Sequence, residues 1–382
     1  MAVNNRQRPE LPVVSIAACE AYDLDVVRRA ATAVLAPLGG IGRFVRPGMQ
    51  VLLKPNLLTA AHPRQAVTTH PIFVQVVAGL VREAGGSVLL GDSPAGQLKN
   101  GPVAWSKSGL AEVSARTGSH LILFEEVVWK RLAGNDYFIA QPVLEADLVI
   151  NLPKLKTHSL TLYTGAVKNL FGTIPGTRKR ELHFRAPGVQ DFSLILVDVL
   201  ELTRPGLTIL DGVLGQEGNG PGTGGTPHRY GCVVASTDPV ALDTVMARAM
   251  GYRRGEVLHL AEAGARGLGA SKEDAIQIRG DREALEFGDI RLPSPRWYFR
   301  VPRWAGAPLR RLTRLRPRPE GAGCTECARC VEACPRGAIT LERPPSFDLD
   351  RCVGCLCCAE VCPHRVIVPH RNLFAQLIGM GY

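Results

Sequence analysis

Two closely similar cysteine runs near the C-terminus constrain what this chain can fold into more than any other feature. Each run reads Cys-x2-Cys-x2-Cys-x3-Cys-Pro, and the second starts at Cys352, 28 residues after the first starts at Cys324. With one further thiol, Cys357, the runs contain nine of the 11 cysteines in the chain of 382 residues. Thiolates at such short intervals are ligands for soft metal centres, so this part of the backbone must fold around an inorganic group.

Both runs resemble the motif of bacterial ferredoxins that bind two 4Fe-4S clusters. In that family the first three cysteines of a run ligate one cluster and the fourth ligates the other. Carried over by position, the resemblance implies two ligand sets, which are Cys324, Cys327, Cys330 and Cys362 for one cluster and Cys352, Cys355, Cys358 and Cys334 for the other. Such a pair of neighbouring clusters suits single-electron transfer.

Two other interpretations of the cysteines fit the sequence less well. A disulfide framework is typical of small secreted proteins, but residues 1–10 are polar and contain no apolar signal core. A pair of zinc sites usually combines two CxxC knuckles and does not need a third and a fourth cysteine followed by proline. Cys357, Cys19 and Cys232 fall outside the motif and are predicted to be small apolar residues of the interior.

The basic excess of the chain is concentrated in one segment. The formal net charge is +10, from 45 Lys and Arg against 35 Asp and Glu. Nine arginines and no acidic residue lie between Asp289 and Glu320, which indicates a linker or docking segment rather than a nucleic-acid-binding face. The aromatic residues of this segment, Trp297, Tyr298, Phe299 and Trp304, would also suit contact with a membrane surface, but docking on a soluble electron donor or acceptor protein is favoured.

Length and composition predict a cytoplasmic protein of several domains. No apolar stretch is long enough to span a bilayer, the longest being residues 192–200. The predicted units are an α/β domain at 1–290 that binds a substrate or a partner, an Arg- and Pro-rich linker at 291–320, a ferredoxin domain with two 4Fe-4S clusters at 321–370, and a C-terminal tail at 371–382.

The large domain alternates short apolar runs with alanine-rich helical stretches. This pattern predicts an α/β fold with a mostly parallel sheet flanked by helices, joined to a small α+β domain of the bacterial ferredoxin type. Strands are predicted at 51–53, 87–90, 121–124, 147–152, 207–210 and 230–235, and helices at 24–35, 71–83, 192–202 and 239–250. The last helix has a start signal, with Thr237 or Asp238 as N-cap and Pro239 in the first turn.

Polar residues stand at the ends of the predicted strands. In an open α/β sheet ligands bind at the carboxyl ends of strands, so these residues are candidates for substrate binding. They are Lys54, Asn56, Asp92, Lys154, Asp211 and Asp238. A crevice built from them would suit a small anionic or carbonyl-bearing substrate. For Asp92 and Asp238 a role in a turn or a helix cap is equally well supported.

The segment 151–172, NLPKLKTHSLTLYTGAVKNLFG, is the hardest to explain by turn chemistry, because turns do not require lysine. Lys156, Lys168 and His158 are therefore predicted to be catalytic, with His158 as the proton carrier since the ordinary pKa of histidine lies near neutrality. Asn169 next to Lys168 is predicted to help hold a phosphate or carboxylate.

Residues 212–226, GVLGQEGNGPGTGGT, are rich in glycine but lack the GK[ST] ending of a P-loop. No GxGxxG opens a helix after the first predicted strand either, so nucleoside triphosphate and dinucleotide sites lack their signatures. A flexible loop and a substrate lid are equally consistent with this composition. Glu217 and Asn219 are its candidate binding residues.

Five motifs together resemble one family. They are KPN at 54–56, LPKLKTH at 152–158, GAVKNLFG at 165–172, EGNGP at 217–221 and STDPVALD at 236–243. On these motifs the chain is identified as a member of the domain of unknown function 362 family, whose members often end in a ferredoxin module and look like iron-sulfur-dependent reductases or redox accessory proteins. A weaker similarity, carried by His158 and Lys168, is to the nickel-pincer lactate racemases, where such residues are the catalytic histidine and the cofactor-bearing lysine. It implies an additional cofactor in the α/β domain.

Three hypotheses for the function follow. The first is an iron-sulfur reductase that passes electrons through two 4Fe-4S clusters to a substrate or cofactor in the α/β crevice. The second is a non-catalytic electron-transfer subunit whose large domain recognises a partner enzyme, and the third is a racemase or epimerase of the nickel-pincer type with structural clusters. An enclosed pocket around the lysines and His158 would favour the first over the second, and nickel in the purified protein would indicate the third.

Overall fold

The computed structural model describes residues 10–94, 101–176, 178–186, 188–293, 316–320, 323–364 and 366–370. Most of the predicted linker, from 294 to 315, and the whole predicted tail at 371–382 lie outside the described residues. The boundaries proposed between the domains at 290, 320 and 370 therefore stay a prediction. None of the helices in the described ranges is long and apolar enough to cross a membrane.

The described strands and helices are as follows. The strands are β1 (Val13–Ala18), β2 (Gln50–Pro55), β3 (Ser87–Asp92), β4 (His120–Leu123), β5 (Val127–Leu132), β6 (Asn135–Ala140), β7 (Leu148–Leu152), β8 (Lys154–His158), β9 (Leu162–Thr164), β10 (Leu207–Gly218), β11 (Gly225–Ser236), β12 (Gln277–Gly280), β13 (Arg316–Pro319), β14 (Ile339–Thr340), β15 (Ser346–Phe347) and β16 (Ile367–His370). The helices are α1 (Leu24–Leu35), α2 (Pro71–Glu83), α3 (Gly101–Lys107), α4 (Leu110–Thr117), α5 (Gln141–Glu145), α6 (Ala166–Asn169), α7 (Arg178–Arg185), α8 (Val189–Thr203), α9 (Pro239–Ala249), α10 (Leu258–Ala265), α11 (Arg329–Ala333) and α12 (Cys357–Val361).

A large mixed sheet organises the α/β domain. Its strand order is β12-β1-β11-β10-β7-β2-β3-β4, with β8 paired to β10 and β9 paired to β8. The pairs from β10 through β7, β2 and β3 to β4 are parallel, whereas β11 runs antiparallel to both of its neighbours. This arrangement confirms the predicted α/β class with a mostly parallel sheet.

Helices cover both faces of the sheet because successive residues of a buried strand point to opposite sides. In β2, Val51 and Leu53 belong to the core layer that includes α1 and α2, while Leu52 belongs to the layer that includes α8 and α9. All three side chains are fully buried. A strand that must be apolar on both faces explains the continuous hydrophobic run in the sequence.

Local signals place several helices where the sequence predicts them. The bounds of α1 and α2 match the predicted 24–35 and 71–83, and the Asp23 side chain caps α1 by accepting from the backbone N–H of Asp25 and Val26. Helix α9 starts at Pro239, and Asp238 is its N-cap, accepting from the N–H of Val240. These ends are specified by residues within one turn of the helix and do not depend on the rest of the fold.

The glycine-rich segment at 212–226 is mostly strand, so the prediction of a flexible loop or lid is wrong for most of it. β10 and β11 form a long hairpin that pairs Gly218 with Gly225 at its tip. A Cβ atom at Gly215 would lie 2.2 Å from the carbonyl oxygen of Leu155, in the neighbouring strand β8. Glycine is therefore required here for the close approach of two backbones rather than for flexibility.

A small α+β module follows the α/β domain, as predicted. The two short antiparallel pairs β13–β16 and β14–β15 pack with α11 and α12. Its small core contains Ile339, Ala359, Val366 and Ile367 together with cysteines. Such a small apolar core supplies little stability, which is consistent with folding around bound inorganic groups.

Candidate functional site

Two cavities in the C-terminal module are each lined by four cysteines. One is lined by Cys324, Cys327, Cys330 and Cys362, and the other by Cys334, Cys352, Cys355 and Cys358. Each cavity encloses about 320 Å³ when the part open to solvent is included. These are the two sets that the ferredoxin resemblance implies, with the fourth cysteine of each run crossing to the other set. The residues present therefore fit two 4Fe-4S clusters.

The backbone between the cysteines turns through conformations that are uncommon outside glycine. Glu326 and Ala328 in the first run and Leu356 in the second have φ values of 54°, 57° and 60°. A left-handed residue between two ligands reverses the local direction of the chain, so successive thiols can face one cavity. Within the described ranges, no three His, Cys, Asp or Glu side chains are grouped closely enough for a single metal ion.

The two cysteine sets differ in their surroundings. Cys327 of the first set is exposed, whereas Cys355 and Cys358 of the second set are buried. The helix that follows Cys355, α12, faces the α/β domain through Cys357 and Glu360. We call the set containing Cys327 the outer cysteine set and the set containing Cys358 the inner cysteine set.

A third and larger cavity lies between the α/β domain and the module, and we call it the crevice cavity. It encloses about 890 Å³ including its opening. The α/β domain contributes the ends of β2 and β3, the strands β8 and β9, and residues of α6 and α7. The module contributes Glu332, Ala333, Cys357, Glu360 and Val361. The carboxyl ends of neighbouring parallel strands thus open into this cavity, as expected for a ligand site of an open α/β sheet.

Lys54 and Asp92 form a buried ion pair at the ends of β2 and β3. The Lys54 ammonium lies 2.9 Å from Asp92 Oδ1, and both side chains are almost fully buried. Asp92 also accepts from the backbone N–H of Leu57 and Ser93. Burial lowers the pKa of Lys54, while the charge of Asp92 raises it. Asp92 lines the crevice cavity, and its ion pair with Lys54 holds the carboxylate in position.

A chain of side-chain amides connects the strand ends to α6. Asn56 Nδ2 donates to Asn169 Oδ1 at 3.0 Å, and Asn169 Nδ2 donates to Asn151 Oδ1 at 2.8 Å. The Asn56 amide oxygen in turn accepts from the Lys156 ammonium, which also donates to the carbonyl of Val67 at 2.7 Å. Asn56, Asn169 and Lys156 all line the crevice cavity. These predicted binding residues are therefore brought together, and their donors and acceptors are mutually fixed.

Lys168 enters the crevice cavity from α6. The start of this helix is held by Asp243, which accepts from the N–H of Ala166 at 2.7 Å and of Val167 at 2.8 Å, and from the Tyr163 hydroxyl at 2.9 Å. Burial lowers the pKa of Lys168, and the nearby Glu360 carboxylate acts in the opposite direction. Lys168 thus lines the cavity from a helix whose first turn is anchored by Asp243.

His158 lies behind the cavity wall rather than on it. Its Nδ1 accepts from the backbone N–H of Leu160 at 3.0 Å, so the ring proton resides on Nε2, which lies 3.3 Å from Glu360 Oε1. Within the described residues, Nε2 forms no regular hydrogen bond with Glu360 or any other group. Burial, assisted by the charge of Lys168, lowers the pKa of His158 to about 4. A neutral His158 that faces Glu360 connects the α/β domain to the module.

Lys154 and Asp211 form a separate buried network. Lys154 donates to Asp211 Oδ2 at 2.8 Å and to the Tyr22 hydroxyl, and Tyr22 stacks on His70 with ring centroids 3.6 Å apart. Asp211 lies within β10 instead of following a strand, because β10 continues to Gly218. Neither Lys154 nor Asp211 lines the crevice cavity. The structure pairs these two predicted binding residues with each other.

Three other predicted binding residues lie elsewhere. Asp238 caps α9 at the amino ends of the parallel strands, opposite to the crevice cavity. The reason is that β11 is antiparallel, so its carboxyl end lies beside the start of β10. Glu217 holds the backbone N–H and the guanidinium of Arg291. Asn219 lies at the tip of the β10–β11 hairpin, outside the cavity lining. The expectation that all strand ends converge fails where the strand direction changes.

Several cavity residues were not predicted from the sequence. Helix α7 contributes Lys179, Arg180 and His183, β9 contributes Thr164, and the module contributes Cys357 and Glu360. Lys179 donates to the Ser93 carbonyl, and burial lowers its pKa to about 7. Arg180 donates to the carbonyl of Glu332 at 2.7 Å, which joins α7 to the module. The basic run RKRELHFR at 178–185 is the signal that could have drawn attention to α7.

Comparison with known proteins found one similar curated protein and distant likenesses among solved structures. The thylakoid-associated protein sll1697 of Synechocystis sp. (strain ATCC 27184 / PCC 6803 / Kazusa) is 38% identical over 250 residues, which cover 61% of this chain and 73% of that protein. Among solved structures, the lactate racemase apoprotein from Thermoanaerobacterium thermosaccharolyticum aligns with a TM-score of 0.40 at 12% identity, over 64% of this chain and 60% of that one. A Thermotoga maritima protein from a structural genomics consortium aligns with a TM-score of 0.33 at 11% identity, over 57% of this chain and 56% of that one. The chain thus spans less than two thirds of either solved protein, and likenesses this distant say nothing about the reaction.

Two family models match the chain directly. The model described as domain of unknown function (DUF362) matches residues 51–248, which contain the β2, β3, β8 and α6 segments of the crevice cavity. The model described as 4Fe-4S dicluster domain matches residues 323–366, which contain all eight cysteines of the inner and outer sets. Because the first match covers more than half of the chain, this protein belongs to the DUF362 family, and it carries a 4Fe-4S dicluster domain of the ferredoxin type at its C-terminus.

Proposed function

We propose that this protein is an iron-sulfur oxidoreductase that reduces an acceptor bound in the crevice cavity. The observation that carries the proposal is the composition of the cavity walls. One wall belongs to the α/β domain and bears Lys156 and Lys168. The other wall includes α12, which contains Cys358 of the inner cysteine set and turns Cys357 and Glu360 towards the cavity. Helix α12 therefore both lines the crevice cavity and contains a cysteine of the inner set.

The two cysteine sets would hold two 4Fe-4S clusters, which supply single-electron transfer when bound. Exposure of Cys327 makes the outer set accessible to a soluble donor protein. Cys355 and Cys358 are buried in the small cores of the module, which shields the inner set from solvent. This difference favours electron entry at the outer set and electron delivery beside the crevice cavity.

The cavity is a partly open recess between the α/β domain and the module, and this favours a reductase over a non-catalytic electron-transfer subunit. A subunit that only recognises a partner would present its lysines on an open surface. Here Lys156 is 1% exposed. Its ammonium is held by Asn56 and Val67 inside the protein, beyond the reach of a macromolecular partner.

The chain's own residues have distinct roles in this proposal. Lys156 and Lys168 favour an electron-rich ligand and stabilise negative charge that develops on it during reduction. Asn56 and Asn169 orient Lys156 through the amide chain. His158 is a positioning residue, because it contacts Glu360 and does not line the cavity. This role replaces the proton transfer expected from the sequence.

Filling the cavity tests the proposal. Leu58 lines the cavity and can be changed to Trp, while Leu194→Trp on the exposed face of α8, where Leu194 is 40% exposed, is the matched control. Anaerobic protein is reduced with dithionite, freed of excess reductant and mixed with a panel of small reducible organic compounds. Cluster absorbance then reports reoxidation.

We expect Leu58→Trp to slow reoxidation by the active compounds about tenfold or more, the effect of losing ~1.4 kcal/mol of transition-state stabilisation. Reoxidation by ferricyanide, which can react at the exposed outer set, should be unchanged. Leu194→Trp should match the wild type with all oxidants. If Leu58→Trp slows no compound, the cavity is not the acceptor site and the electron-transfer subunit becomes the better description.

A further inference from the structure

One corner of the crevice cavity contains a buried hydroxyl without a partner. Thr164 in β9 lines the cavity and is 4% exposed. Within the described part of the chain, its Oγ1 has no hydrogen-bond partner. Leaving a hydroxyl buried and unpaired is unfavourable, and the large majority of such groups are satisfied by protein, water or a ligand. The Thr164 hydroxyl therefore indicates that a polar ligand group belongs beside it.

Two lysines line the cavity together with Thr164, and burial and the charge of Lys168 lower the pKa of Lys156. Lys156 lies opposite Thr164 in the β8–β9 register. A lysine ammonium has three N–H donors, and Lys156 uses two of them on Asn56 and Val67, which leaves one. Among the described residues the Lys168 ammonium has no hydrogen-bond or ion-pair partner. Lysine ammonium groups and a hydroxyl that line one cavity are suitable donors for an oxyanion.

The acids near this corner offset only part of its positive charge. Asp92 is already paired with Lys54 at 2.9 Å. Glu360 lines the cavity from the module side, 3.3 Å from His158, and its charge offsets part of that of Lys168. Lys179 and Arg180 add two further positive charges at the cavity. A bound anion would therefore offset an excess of positive charge that the buried lysines create.

Apolar side chains line much of the remaining cavity wall. Leu57 and Phe171 come from the α/β domain and Val361 from α12. A free inorganic ion would leave this apolar surface in contact with water, whereas an organic body would cover it. The cavity therefore suits a molecule with an anionic head and an apolar part.

We infer that the corner formed by Lys156, Thr164 and Lys168 binds the carboxylate or phosphate group of an organic ligand whose apolar body lies against Phe171 and Val361. The inference deepens the proposed function, because it names the chemical class of the acceptor. Carboxylates and phosphate esters share the oxyanion that this corner recognises.

Binding to the protein with oxidised, intact clusters tests the inference without electron transfer. The probes are phenylacetate, phenyl phosphate and the neutral 2-phenylethanol, which matches phenylacetate in shape, and titration calorimetry measures their affinities. Thr164→Val removes only the hydroxyl, and Lys168→Met removes only the charge. Lys130→Met on the exposed strand β5 is the control for loss of one positive charge.

We expect saturable binding of at least one anionic probe and weaker binding of 2-phenylethanol. Thr164→Val should weaken anion binding about tenfold, as expected for one hydrogen bond to a charged group, and Lys168→Met by more. Lys130→Met should bind like the wild type. Tighter binding of phenylacetate or of phenyl phosphate then identifies carboxylate or phosphate as the preferred head group.

Two outcomes would overturn the inference. The first is that neither anion binds more tightly than 2-phenylethanol, and the second is that Thr164→Val binds both anions as the wild type does. If the Lys168→Met variant loses its clusters on purification, the anion affinity of Thr164→Val tests the inference by itself. This variant exchanges an unpaired hydroxyl for a methyl group of similar size. Intact anion binding combined with a failed reoxidation assay would remove the proposed function and leave this inference standing.

Discussion

Gly172 ends the GAVKNLFG motif, and its lack of a side chain is required by the buried ion pair beneath it. A Cβ atom at this position would lie 2.2 Å from Asp92 Oδ1 and 2.6 Å from the Lys54 ammonium nitrogen. Lys54 is 0% exposed and Asp92 2% exposed, so neither charge can escape to solvent. The change Gly172→Ala must therefore either separate the pair or displace the backbone of the surrounding turn.

Both routes are costly. Breaking a buried ion pair costs about 3–5 kcal/mol, because a charge is left buried and unpaired. Overpacking that shifts the backbone costs about 1–3 kcal/mol. The structural response with the lower free-energy cost will dominate. We therefore expect Gly172→Ala to lower the free energy of unfolding by about 2–3 kcal/mol.

Urea unfolding followed by far-ultraviolet circular dichroism measures this effect. Cluster absorbance is recorded separately, so that loss of the clusters from the module is not mistaken for unfolding of the α/β domain. Gly79→Ala is the matched control, because Gly79 lies inside α2 and a Cβ atom there meets no atom within 4 Å. Alanine in a helix should stabilise the control by about 0.5–1 kcal/mol. A Gly172→Ala variant within about 0.5 kcal/mol of the wild type would refute the reasoning.

Two further predictions concern single side chains. Cys357→Ala should retain the full iron content of about eight atoms, whereas Cys358→Ala should lose the cluster of the inner set, and an equal loss in both variants would contradict the assignment. Burial raises the pKa of the Asp243 carboxyl from 3.8 to about 7, so its contribution to stability is fully present below pH 3.8 and is lost as the pH rises through about 7. Asp243→Asn cannot ionise and should show a flatter dependence of the unfolding free energy on pH between these values, while an unchanged slope would exclude Asp243 as its source.

Local signals in the sequence were sufficient for the elements whose ends are specified locally. Asp23 and Asp238 cap α1 and α9, and Pro71 opens α2, so the starts of these helices follow from residues within one turn. The strands β2, β3 and β7 are predictable because both of their faces are mostly buried and apolar. By contrast, β8 consists of Lys154–His158, and no residue-level pattern marks such a polar sequence as a fully buried strand.

The site was predictable only in part for a similar reason. Lys156, Lys168, Asn56, Asn169 and Asp92 were expected to bind a ligand, and they line one cavity. Lys154 has the same residue type and lies two positions from Lys156, yet it pairs with Asp211 away from the cavity. Which lysine reaches a ligand and which forms a structural ion pair depends on the neighbours across the sheet.

By itself, the sequence determined the cysteine module, the α/β class and the family, because ligand spacing, hydrophobic periodicity and motifs are encoded in contiguous residues. Only the tertiary structure decided that β11 runs antiparallel and removes Asp238 from the site, and that the glycine-rich segment is a hairpin. It also decided that α12, about 190 residues after Lys168 in the chain, closes the cavity that Lys168 enters. Contacts between such distant segments arise from packing and charge pairing across the whole fold, and no local pattern specifies them.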